Sequence, residues 1–461
     1  MPELEFEKNI LGQTELKKFM PSKTSIKSVF DMLDEVNWDF KDAKTQYLTH
    51  RFHSYPARFI PQIPRTFIKL FTAPGDIVLD PFAGCGTTLV EAKLLKRYAI
   101  GNDLNPLATL ISKVKITALS DDQIKRNKLF LERLENKIKS HERSKLNLPK
   151  LPNRKISNIF TRIMLEEIQI LKKNIDGLKD DKDLFDFNLV ALSSTIRAII
   201  ESENGDNILK IFRNKTSMML ENIEEFSRYA DKKTTSFITT GDSRNLKEVK
   251  DDSVNLIVTS PPYVNALDYY RVHMYNMLWL GMNYNAFKQN EIGGHSHHLN
   301  NRFRLLSEYL GDMLRSMIEM NRVLKKRMTC AIVVGNSSID YELIESYKHF
   351  SSMSKRIGFD VKKIIFRNID KSSKYFSNGK IDDEFIVLLQ KVNDSKYSNK
   401  DDHFITEVVT NELKKFRESV KNNPGSSTRG KEVSSERLLK NIDKIDEAIH
   451  NVAKDVRFSE A

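Results

Sequence analysis

Residues 76–103 read DIVLDPFAGCGTTLVEAKLLKRYAIGND, and this stretch decides the fold. The apolar run at 77–79 predicts a short strand that is buried on both faces. A glycine-containing turn follows, then a helical pattern over 87–96 and a second apolar run at 98–100. Strand, turn, helix and strand form a βαβ unit, so the stretch predicts two parallel strands of one sheet.

Four further apolar runs predict strands in the second half of the chain, at 236–240, 254–258, 330–334 and 384–389. Because these runs alternate with helical patterns, they indicate an α/β fold with a doubly wound, Rossmann-like sheet. Residues 107–235 are rich in Lys, Glu, Leu and Ile at helical spacing and are far longer than an ordinary connection. We therefore predict a large helical insertion, which is either a lid over the core or a clamp for nucleic acid or substrate.

The composition limits the class of protein. The chain has 461 residues, with 74 Lys and Arg against 62 Asp and Glu, and 40% of its residues are hydrophobic, which excludes wholesale disorder. A pI near 9.3 suits a nucleic-acid partner without requiring one. No apolar run reaches the roughly 18 residues of a membrane span, and the acidic N-terminus does not resemble a secretory signal. We expect a soluble, cytoplasmic protein with no membrane partner.

The glycine turn carries an acid where a phosphate-binding loop carries a base. Asp80 ends the first strand, Gly84 and Gly86 allow close approach to a ligand, and no GKS or GKT follows. A carboxylate at this place favours a cationic ligand such as S-adenosylmethionine over NAD, whose pyrophosphate it would repel. Asp103 stands about 20 residues beyond the glycines, a spacing that suits a carboxylate on ribose hydroxyls. A tight turn without a ligand is the alternative interpretation.

The sequence TSPPY at 259–263 follows the strand at 254–258, so it lies at the sheet edge where ligands bind. Its two prolines stiffen the loop. Such a loop suits an exocyclic amine of a nucleobase, which must become more tetrahedral before its nitrogen can attack a methyl group. Hydrogen-bond acceptors at Ser260 Oγ and the Pro261 carbonyl would favour that change, and Tyr263 would stack on the base. A base inside a duplex cannot reach such a pocket, so a flipped or single-stranded base is required. The alternative is a proline-rich turn without chemistry.

Together these motifs resemble the amino-group DNA methyltransferases, which methylate cytosine N4 or adenine N6 in bacterial restriction–modification and related systems. The resemblance rests on DPFAGCGTT at 80–88, TSPPY at 259–263, HSYPARFIP at 53–61, GNDLNP at 101–106 and NALDY at 265–269. It implies S-adenosylmethionine as cofactor and double-stranded DNA with a flipped target base as substrate. It also implies a possible cognate restriction endonuclease as partner, and a place in a bacterial or archaeal cytoplasm, associated with the nucleoid.

The resemblance assigns roles to single residues. It implies catalytic roles for Ser260, Pro261, Pro262 and Tyr263, and the serine favours cytosine N4 over adenine N6. It implies that Asp242 approaches the adenine amino group of the cofactor, with 59–61 closing over the methionine moiety. The full set of cofactor-binding residues that it implies is Phe59, Pro61, Asp80, Pro81, Phe82, Gly84, Gly86, Thr88, Asp103 and Asp242.

Basic residues near the catalytic loop are candidates for contacts with nucleic acid. Arg271 and His273 follow the loop, and Arg302 and Arg304 stand at the end of 283–304, a candidate recognition loop. The histidines at 295, 297 and 298 resemble a metal site only superficially, because no carboxylate or cysteine completes it, and we expect no metal. Cys85 is expected to be a small packing residue.

These expectations divide the chain into five parts. They are an N-terminal extension at 1–50, the cofactor-binding half of the sheet domain at 51–106, the helical insertion at 107–235, the catalytic half at 236–392 and a charged helical tail at 393–461. An apolar heptad stripe in the tail is too short for a coiled coil and is expected to pack on the body. Methylation of an RNA amine, and a non-catalytic DNA-binding module that retains the cofactor, are the competing functions.

Overall fold

A computed structural model gives the structure of this chain. It describes residues 29–140, 160–202, 207–231, 233–265, 267–294, 298–368, 383–427 and 433–457. Most of the predicted N-terminal extension, residues 1–28, lies outside the described residues, as do Ala266 and the tract His295, Ser296 and His297.

Within the described residues, the strands form one seven-stranded sheet and a two-stranded hairpin. The order in the large sheet is β3-β2-β1-β4-β5-β9-β8, and β6 pairs with β7. Strands β1 to β5 pair in parallel, whereas β9 is antiparallel to both β5 and β8. The predicted doubly wound α/β sheet is confirmed. The strands are β1 (Ile77–Asp80), β2 (Tyr98–Asp103), β3 (Ser236–Thr240), β4 (Val254–Thr259), β5 (Leu324–Gly335), β6 (Ser337–Ile339), β7 (Glu342–Ile344), β8 (Phe359–Asn368) and β9 (Asp383–Lys391).

The helices cover both faces of the sheet. Two short 3₁₀ turns, Leu33–Glu35 and Leu48–Arg51, precede the first long helix. The described α-helices are α1 (Val29–Met32), α2 (Gln62–Phe71), α3 (Thr87–Leu94), α4 (Pro106–Ile116), α5 (Asp121–Ser140), α6 (Arg162–Asp176), α7 (Lys182–Ser202), α8 (Ile208–Tyr229), α9 (Tyr269–Leu280), α10 (Tyr284–Asn290), α11 (Arg302–Val323), α12 (Ser346–Arg356), α13 (Asp402–Asn422) and α14 (Ser435–Asp455).

The apolar runs of the central strands follow from burial on two sides. Successive side chains of a strand point to opposite faces, and each face here packs against its own layer of helices. A strand covered on both faces needs an apolar residue at every position, which removes the alternation seen in half-exposed strands. The first face carries Val78, Leu256, Val258, Ala331 and Val333, and the second carries Leu79, Ile257, Cys330, Ile332 and Val334.

Helices α4 to α8 occupy the region between β2 and β3, where the helical insertion was predicted. They share one apolar core with the first face of the sheet. In α7, Phe187, Val190 and Ile196 are at most 1% exposed. These helices therefore form part of the core, whereas the five-part division of the chain stays a prediction.

The tail covers the second face. Ile445, Val452 and Val456 of the heptad stripe are buried in the same cluster as α11 and α13. The prediction that this stripe packs on the body is confirmed.

Two strand regions were not predicted from the sequence. Strand β8 lies at the edge of the sheet, where Lys362 and Lys363 interrupt its apolar pattern and Ile364 and Phe366 stay exposed. Edge strands are often charged in this way, because charge blocks pairing with other chains. The β6–β7 hairpin has only three residues in each strand, too few to show an alternating pattern.

A buried polar cluster fixes residues 47–58 to helix α3. The Glu91 carboxylate is fully buried and accepts hydrogen bonds from the Tyr47 hydroxyl at 2.7 Å and from Arg65 Nη1 at 2.8 Å. His50 Nε2 lies 2.8 Å from Glu91 Oε1. Burial opposes the charged form of Glu91, but Arg65 and His50 outweigh it and lower the pKa of this carboxyl group. Arg58 Nη1 donates to the His50 carbonyl at 2.7 Å and extends the cluster toward the sheet edge.

Replacing Glu91 by alanine should strongly destabilise the fold, because it removes the carboxylate that forms a buried ion pair with Arg65. Breaking a buried pair from one side costs about 3–5 kcal/mol. The free energy of unfolding, measured by urea titration, should fall by an amount of this order. Glu436→Ala removes a carboxylate from the exposed pair with Lys440 and should change little. Equal stability of the two variants would contradict the assigned role of Glu91.

Candidate active site

The two predicted motifs meet where the strand order reverses. Strands β1 and β4 are neighbours, with Leu79 opposite Ile257, and β2 and β5 continue the sheet in opposite directions. In doubly wound sheets the ligand crevice lies at the carboxyl ends of the strands at this place. Thr259 Oγ1 at the end of β4 donates to Asp80 Oδ1 at the end of β1, at 2.7 Å.

A cleft of about 800 Å³ opens at this edge of the sheet. Both motifs line it, so the prediction that they share one cleft is confirmed. The predicted site residues that line it are Phe59, Pro81, Phe82, Gly84, Asp103, Asp242, Ser260 and Pro262.

Four predicted cofactor-binding residues do not line the cleft: Asp80 lies beneath the glycine turn, and Pro61, Gly86 and Thr88 support the cleft wall from behind. Pro61 is buried where helix α2 begins. Gly86 has φ +79°, and a Cβ there would lie 2.8 Å from Ser112 Oγ, so its lack of a side chain serves packing against α4. Thr88 is fully buried and donates to the Val258 carbonyl at 3.2 Å, which ties α3 to β4. Packing and hydrogen bonding within the protein therefore account for the residue types at these three positions, without a direct contact to a ligand.

Asp80 is fully buried beneath the turn. Its Oδ1 accepts from Thr259 Oγ1 and, at 3.2 Å, from the Phe82 amide. Its Oδ2 has no hydrogen-bond partner among the described residues. Burial raises the pKa of this carboxyl group to about 6, although the Thr259 hydroxyl opposes the shift. A buried acceptor oxygen that the protein leaves unsatisfied is a place where a cationic group of a ligand would be stabilised.

Asp103 lines the cleft and shapes the glycine turn. Its Oδ2 accepts from the Gly84 amide at 2.7 Å and its Oδ1 from the Asn105 amide at 2.8 Å. Burial raises the pKa of Asp103 to about 6. A carboxylate oxygen accepts more than one hydrogen bond, so this side chain keeps capacity for a hydroxyl of a ligand.

Asp242 also lines the cleft, and a charge network orients its carboxylate. Arg244 Nη2 contacts Asp242 Oδ2 at 2.7 Å, and Arg244 Nη1 contacts Asp312 Oδ1 at 2.7 Å. These two carboxylates outweigh the burial of Arg244 and raise the pKa of its guanidinium.

The loop at 259–263 is anchored from several sides. Tyr309 OH donates to the Pro262 carbonyl at 3.0 Å, and the amide of Asn265 donates to the Gly293 carbonyl at 3.2 Å. Ser260 is half-buried and lines the cleft, whereas Pro261 is buried behind it. Tyr263 is half-buried outside the cleft lining, and its hydroxyl donates to Glu384 Oε1 at 3.1 Å.

Several cleft residues were missed by sequence reasoning. Tyr55 and Arg58 belong to the quoted motif at 53–61, so a signal was present although neither was selected. Tyr269 comes from α9. Phe287, Asn290, Glu291 and Ile292 form another wall, from the first part of the candidate recognition loop at 283–304. That part of the segment therefore lines the predicted cofactor site.

His273 does not occupy the surface position expected of a nucleic-acid contact. It is fully buried, and its ring stacks on Tyr55 with centroids 4.7 Å apart. Burial, aided by Arg197, lowers the pKa of His273 to about 3, so the ring is neutral at pH 7. A buried neutral ring cannot reach phosphate or base, and this prediction is wrong.

The three arginines that were predicted to contact nucleic acid differ in how free their side chains are to do so. Arg304 is ion-paired with Asp455 of α14 at 2.5 Å and thereby holds the tail. Arg302 is half-buried at the start of α11. The Arg271 side chain is 69% exposed, with Asp268 at 3.5 Å, and lies on the helix whose Tyr269 lines the cleft. Arg271 is therefore the best placed of the four for a contact outside the cleft.

No group of His, Cys, Asp or Glu side chains that could hold a metal ion occurs among the described residues. Cys85 is buried at the cleft wall, and Cys330 lies in β5. In the part of the chain that the structure describes, no helix has the length and apolar character needed to cross a membrane.

Comparison with known proteins gives three informative relatives. Type II methyltransferase M.MvaI of Kocuria varians is 30% identical over 261 residues, 49% of this chain and 55% of that protein. Type II methyltransferase M.MjaII of Methanocaldococcus jannaschii is 24% identical over 344 residues, 53% of this chain and 63% of that protein. DNA adenine methyltransferase YhdJ of Escherichia coli K12 is 30% identical over 131 residues, 28% of this chain and 37% of that protein.

The chain thus spans between half and two thirds of the length of the first two relatives. A family model described as DNA methylase, for N6 and N4 amino methylation, matches residues 5–113 and 254–453. These segments cover well over half of the chain and contain the cleft-lining residues other than Asp242 and Ser243. The chain therefore belongs to the N6/N4 DNA methylase family.

Proposed function

We propose that this chain transfers a methyl group from S-adenosylmethionine to an exocyclic amine of a base in DNA, with cytosine N4 as the favoured target. The observation that carries the proposal is the shared cleft. Ser260, at the end of β4, faces the same space as the glycine turn after β1, and the Thr259–Asp80 hydrogen bond joins the two loops at their base.

The charges of the cleft fit this cofactor. Of the described residues that line it, the charged side chains are Arg58, Asp103, Asp242 and Glu291, so acids outnumber bases. Such a lining favours a cation and opposes a phosphate. Asp80 Oδ2 would accept from the ammonium group of the methionine moiety, and Arg58, which has further N–H donors, would bind its carboxylate. Asp103 would accept from the ribose hydroxyls, and Asp242 from the adenine amino group.

The chemistry of the site follows from the positions of its hydrogen-bond acceptors. S-adenosylmethionine, when bound, would supply an electrophilic methyl group to the amine nitrogen, and the methylated amine would then release one proton to solvent. Ser260 Oγ and the Pro261 carbonyl would accept hydrogen bonds from the amine, whose developing positive charge strengthens both bonds. Tyr309 steadies the loop through the Pro262 carbonyl, so these acceptors need not reorganise during the reaction.

The target base has to leave its duplex to reach Ser260, because the cleft lies at the recessed end of the strands. We infer double-stranded DNA with a flipped base as the substrate. Tyr263 would stack on this base after a change in its ring position, and the exposed Arg271 would contact a neighbouring phosphate. The names of the first two relatives, both type II methyltransferases, support a site-specific enzyme of a restriction–modification system with a cognate endonuclease.

Adenine N6 is the second candidate target. Ser260 favours cytosine N4 on the resemblance of its loop, whereas the similarity to a DNA adenine methyltransferase favours adenine. Labelled S-adenosylmethionine offered with duplex DNA, single-stranded DNA and tRNA would establish the substrate class. Mass analysis of the digested product would then identify the modified base. Transfer to tRNA alone, or to none of the three, would overturn the proposal.

Ser260→Ala should slow methyl transfer while leaving cofactor binding almost intact. Removing one hydrogen-bonding group that acts on the transition state lowers the rate by about 10²–10³-fold. Single-turnover methylation would give the rate, and calorimetry the dissociation constant of S-adenosylmethionine. Ser253→Ala removes the same hydroxyl just before β4, where it bonds only the Lys250 carbonyl in the described residues, and is the matched control. An equal loss of rate and of cofactor affinity in Ser260→Ala would contradict the role of this hydroxyl.

Cofactor affinity should weaken as the pH falls through 6. The pKa values of Asp80 and Asp103 are about 6 in the free protein, and only the ionised carboxylates attract a cation. Affinity should therefore be constant near pH 7–7.5 and about tenfold weaker at pH 5 if one group is responsible. Calorimetry between pH 5 and 7.5 would measure it.

Asp80→Asn should bind the cofactor more weakly and lose most of this pH dependence. Asp121→Asn, a substitution at the exposed start of α5, should retain it. A wild-type affinity that stays the same from pH 5 to 7.5 would exclude a carboxylate–ammonium contact.

A further inference from the structure

Residues 242–244, which follow β3, connect the cleft to helix α11. Asp242 lines the cleft, whereas neither Arg244 nor Asp312 is among the described residues that do so. Arg244 Nη1 contacts Asp312 Oδ1 of α11 at 2.7 Å, and the Arg244 carbonyl accepts a hydrogen bond from Asn399 Nδ2 at 2.6 Å. Arg244 is therefore anchored to α11 through its side chain and to the segment before α13 through its backbone.

Arg244 holds the Asp242 carboxylate through three donor groups. Oδ1 accepts from the Arg244 amide at 2.9 Å, Oδ2 accepts from Nη2 at 2.7 Å, and Nε lies 3.0 Å from both oxygens. A planar guanidinium that contacts both oxygens fixes the orientation of the carboxylate as well as its position. The Asp242 side chain is 25% exposed, against 12% for Arg244 and 13% for Asp312, so the acid in the cleft is the accessible member of this network.

The network makes Asp242 an acceptor for a ligand. A carboxylate paired with a guanidinium accepts hydrogen bonds and donates none. The three N–H groups of Arg244 engage three of the roughly four lone-pair sites of a carboxylate, which leaves one for a donor in the cleft. A 6-aminopurine offers an N–H donor to such an acceptor, whereas a purine that carries hydrogen at carbon 6 offers none.

We propose that Arg244 and Asp312 determine the specificity of the cofactor site for a 6-aminopurine, acting as positioning residues through Asp242. Asp312 fixes the guanidinium of Arg244, and the guanidinium fixes Asp242 as the acceptor for the purine amino group. This inference rests on the proposed function, which places that amino group at Asp242.

Two ligands that differ in one donor test the network. S-adenosylhomocysteine keeps the adenine of the cofactor, and its analogue with hydrogen in place of the 6-amino group lacks only the donor. The wild type should bind the first about 10–100-fold more tightly, which is the contribution of one hydrogen bond to a charged acceptor. Calorimetry with both ligands gives this preference as the ratio of two dissociation constants.

Asp312→Ala should reduce the preference about tenfold, because the guanidinium then lacks its anchor on α11 and no longer holds the acceptor in line with the amino group. The affinity for S-adenosylhomocysteine should fall, whereas the affinity for the analogue should stay nearly constant. General loosening of the cleft would instead weaken both ligands alike and leave their ratio unchanged.

Glu319→Ala is the matched control. Glu319 also lies on α11, is 5% exposed and pairs with Arg322 at 2.7 Å, and its Oε2 accepts from the Leu246 amide at 2.8 Å. It therefore ties the same helix to the segment after β3, outside the described cleft lining. Its loss should lower the thermal midpoint and leave the preference at the wild-type value. An equal loss of preference in Glu319→Ala and Asp312→Ala would overturn the proposal, because loosening of α11 would then explain both.

Arg244→Lys decides the matter if Asp312→Ala does not fold. A lysine ammonium keeps the charge but cannot contact two carboxylates in the fork geometry of a guanidinium, so the preference should fall in this variant also. A preference equal to that of the wild type in Arg244→Lys, or in a folded Asp312→Ala, would overturn the role of these residues while the proposed function stands. Equal binding of the two ligands by the wild type would do the same. A wild-type protein that binds neither ligand would overturn the proposed function and this inference together.

Discussion

The hydrogen bond from Thr259 Oγ1 to Asp80 Oδ1 joins two loops that are 179 residues apart in the chain. It forms because β1 and β4 are neighbours at the point where the strand order reverses, so their carboxyl ends lie side by side. The bond also satisfies one oxygen of a fully buried carboxylate, whose desolvation would otherwise be uncompensated. The proposed cofactor site and the proposed target-base site can share one cleft only while these two strand ends stay together.

The rest of the chain maintains this arrangement by covering both faces of the sheet. The helices between β2 and β3 bury the first face, and α11 to α14 bury the second. Arg304 and Asp455 attach the tail to α11, and the Glu91 cluster attaches residues 47–58 to α3. Segments that lie far from the motifs in the chain therefore help to determine the shape of the cleft. They fix the positions of the lining residues Tyr55 and Arg58 and of those from α10.

The charge distribution of the cleft explains why one ligand class suits it. Acidic side chains surround the glycine turn, and burial raises the pKa values of Asp80 and Asp103 to about 6. A bound cation would compensate the negative charge of these carboxylates, and the proposed cofactor carries two cationic groups, an ammonium and a sulfonium. On the other side of the cleft, Tyr309 holds the loop at 259–263 through the Pro262 carbonyl, and Glu384, paired with Arg367, holds it through the Tyr263 hydroxyl.

The sequence by itself determined the α/β class, the glycine turn and the Ser260 loop. These features depend on the types of residues that are close together in the chain. An apolar run, the backbone freedom of glycine and the stiffness of proline can each be recognised within about ten residues. Only the tertiary structure decided that His273 is buried, that Phe287 and residues 290–292 line the cleft, and that Glu384 contacts Tyr263. The apolar and aromatic residues of α9 do not form a single stripe, so their spacing does not indicate which side of this helix faces the core. In β8, where Lys362 and Lys363 interrupt the apolar pattern, the sequence does not indicate that Arg367 pairs with Glu384 of the neighbouring strand. Contacts between distant segments follow from how the sheet is assembled, because strand order and register place side chains that local patterns cannot relate.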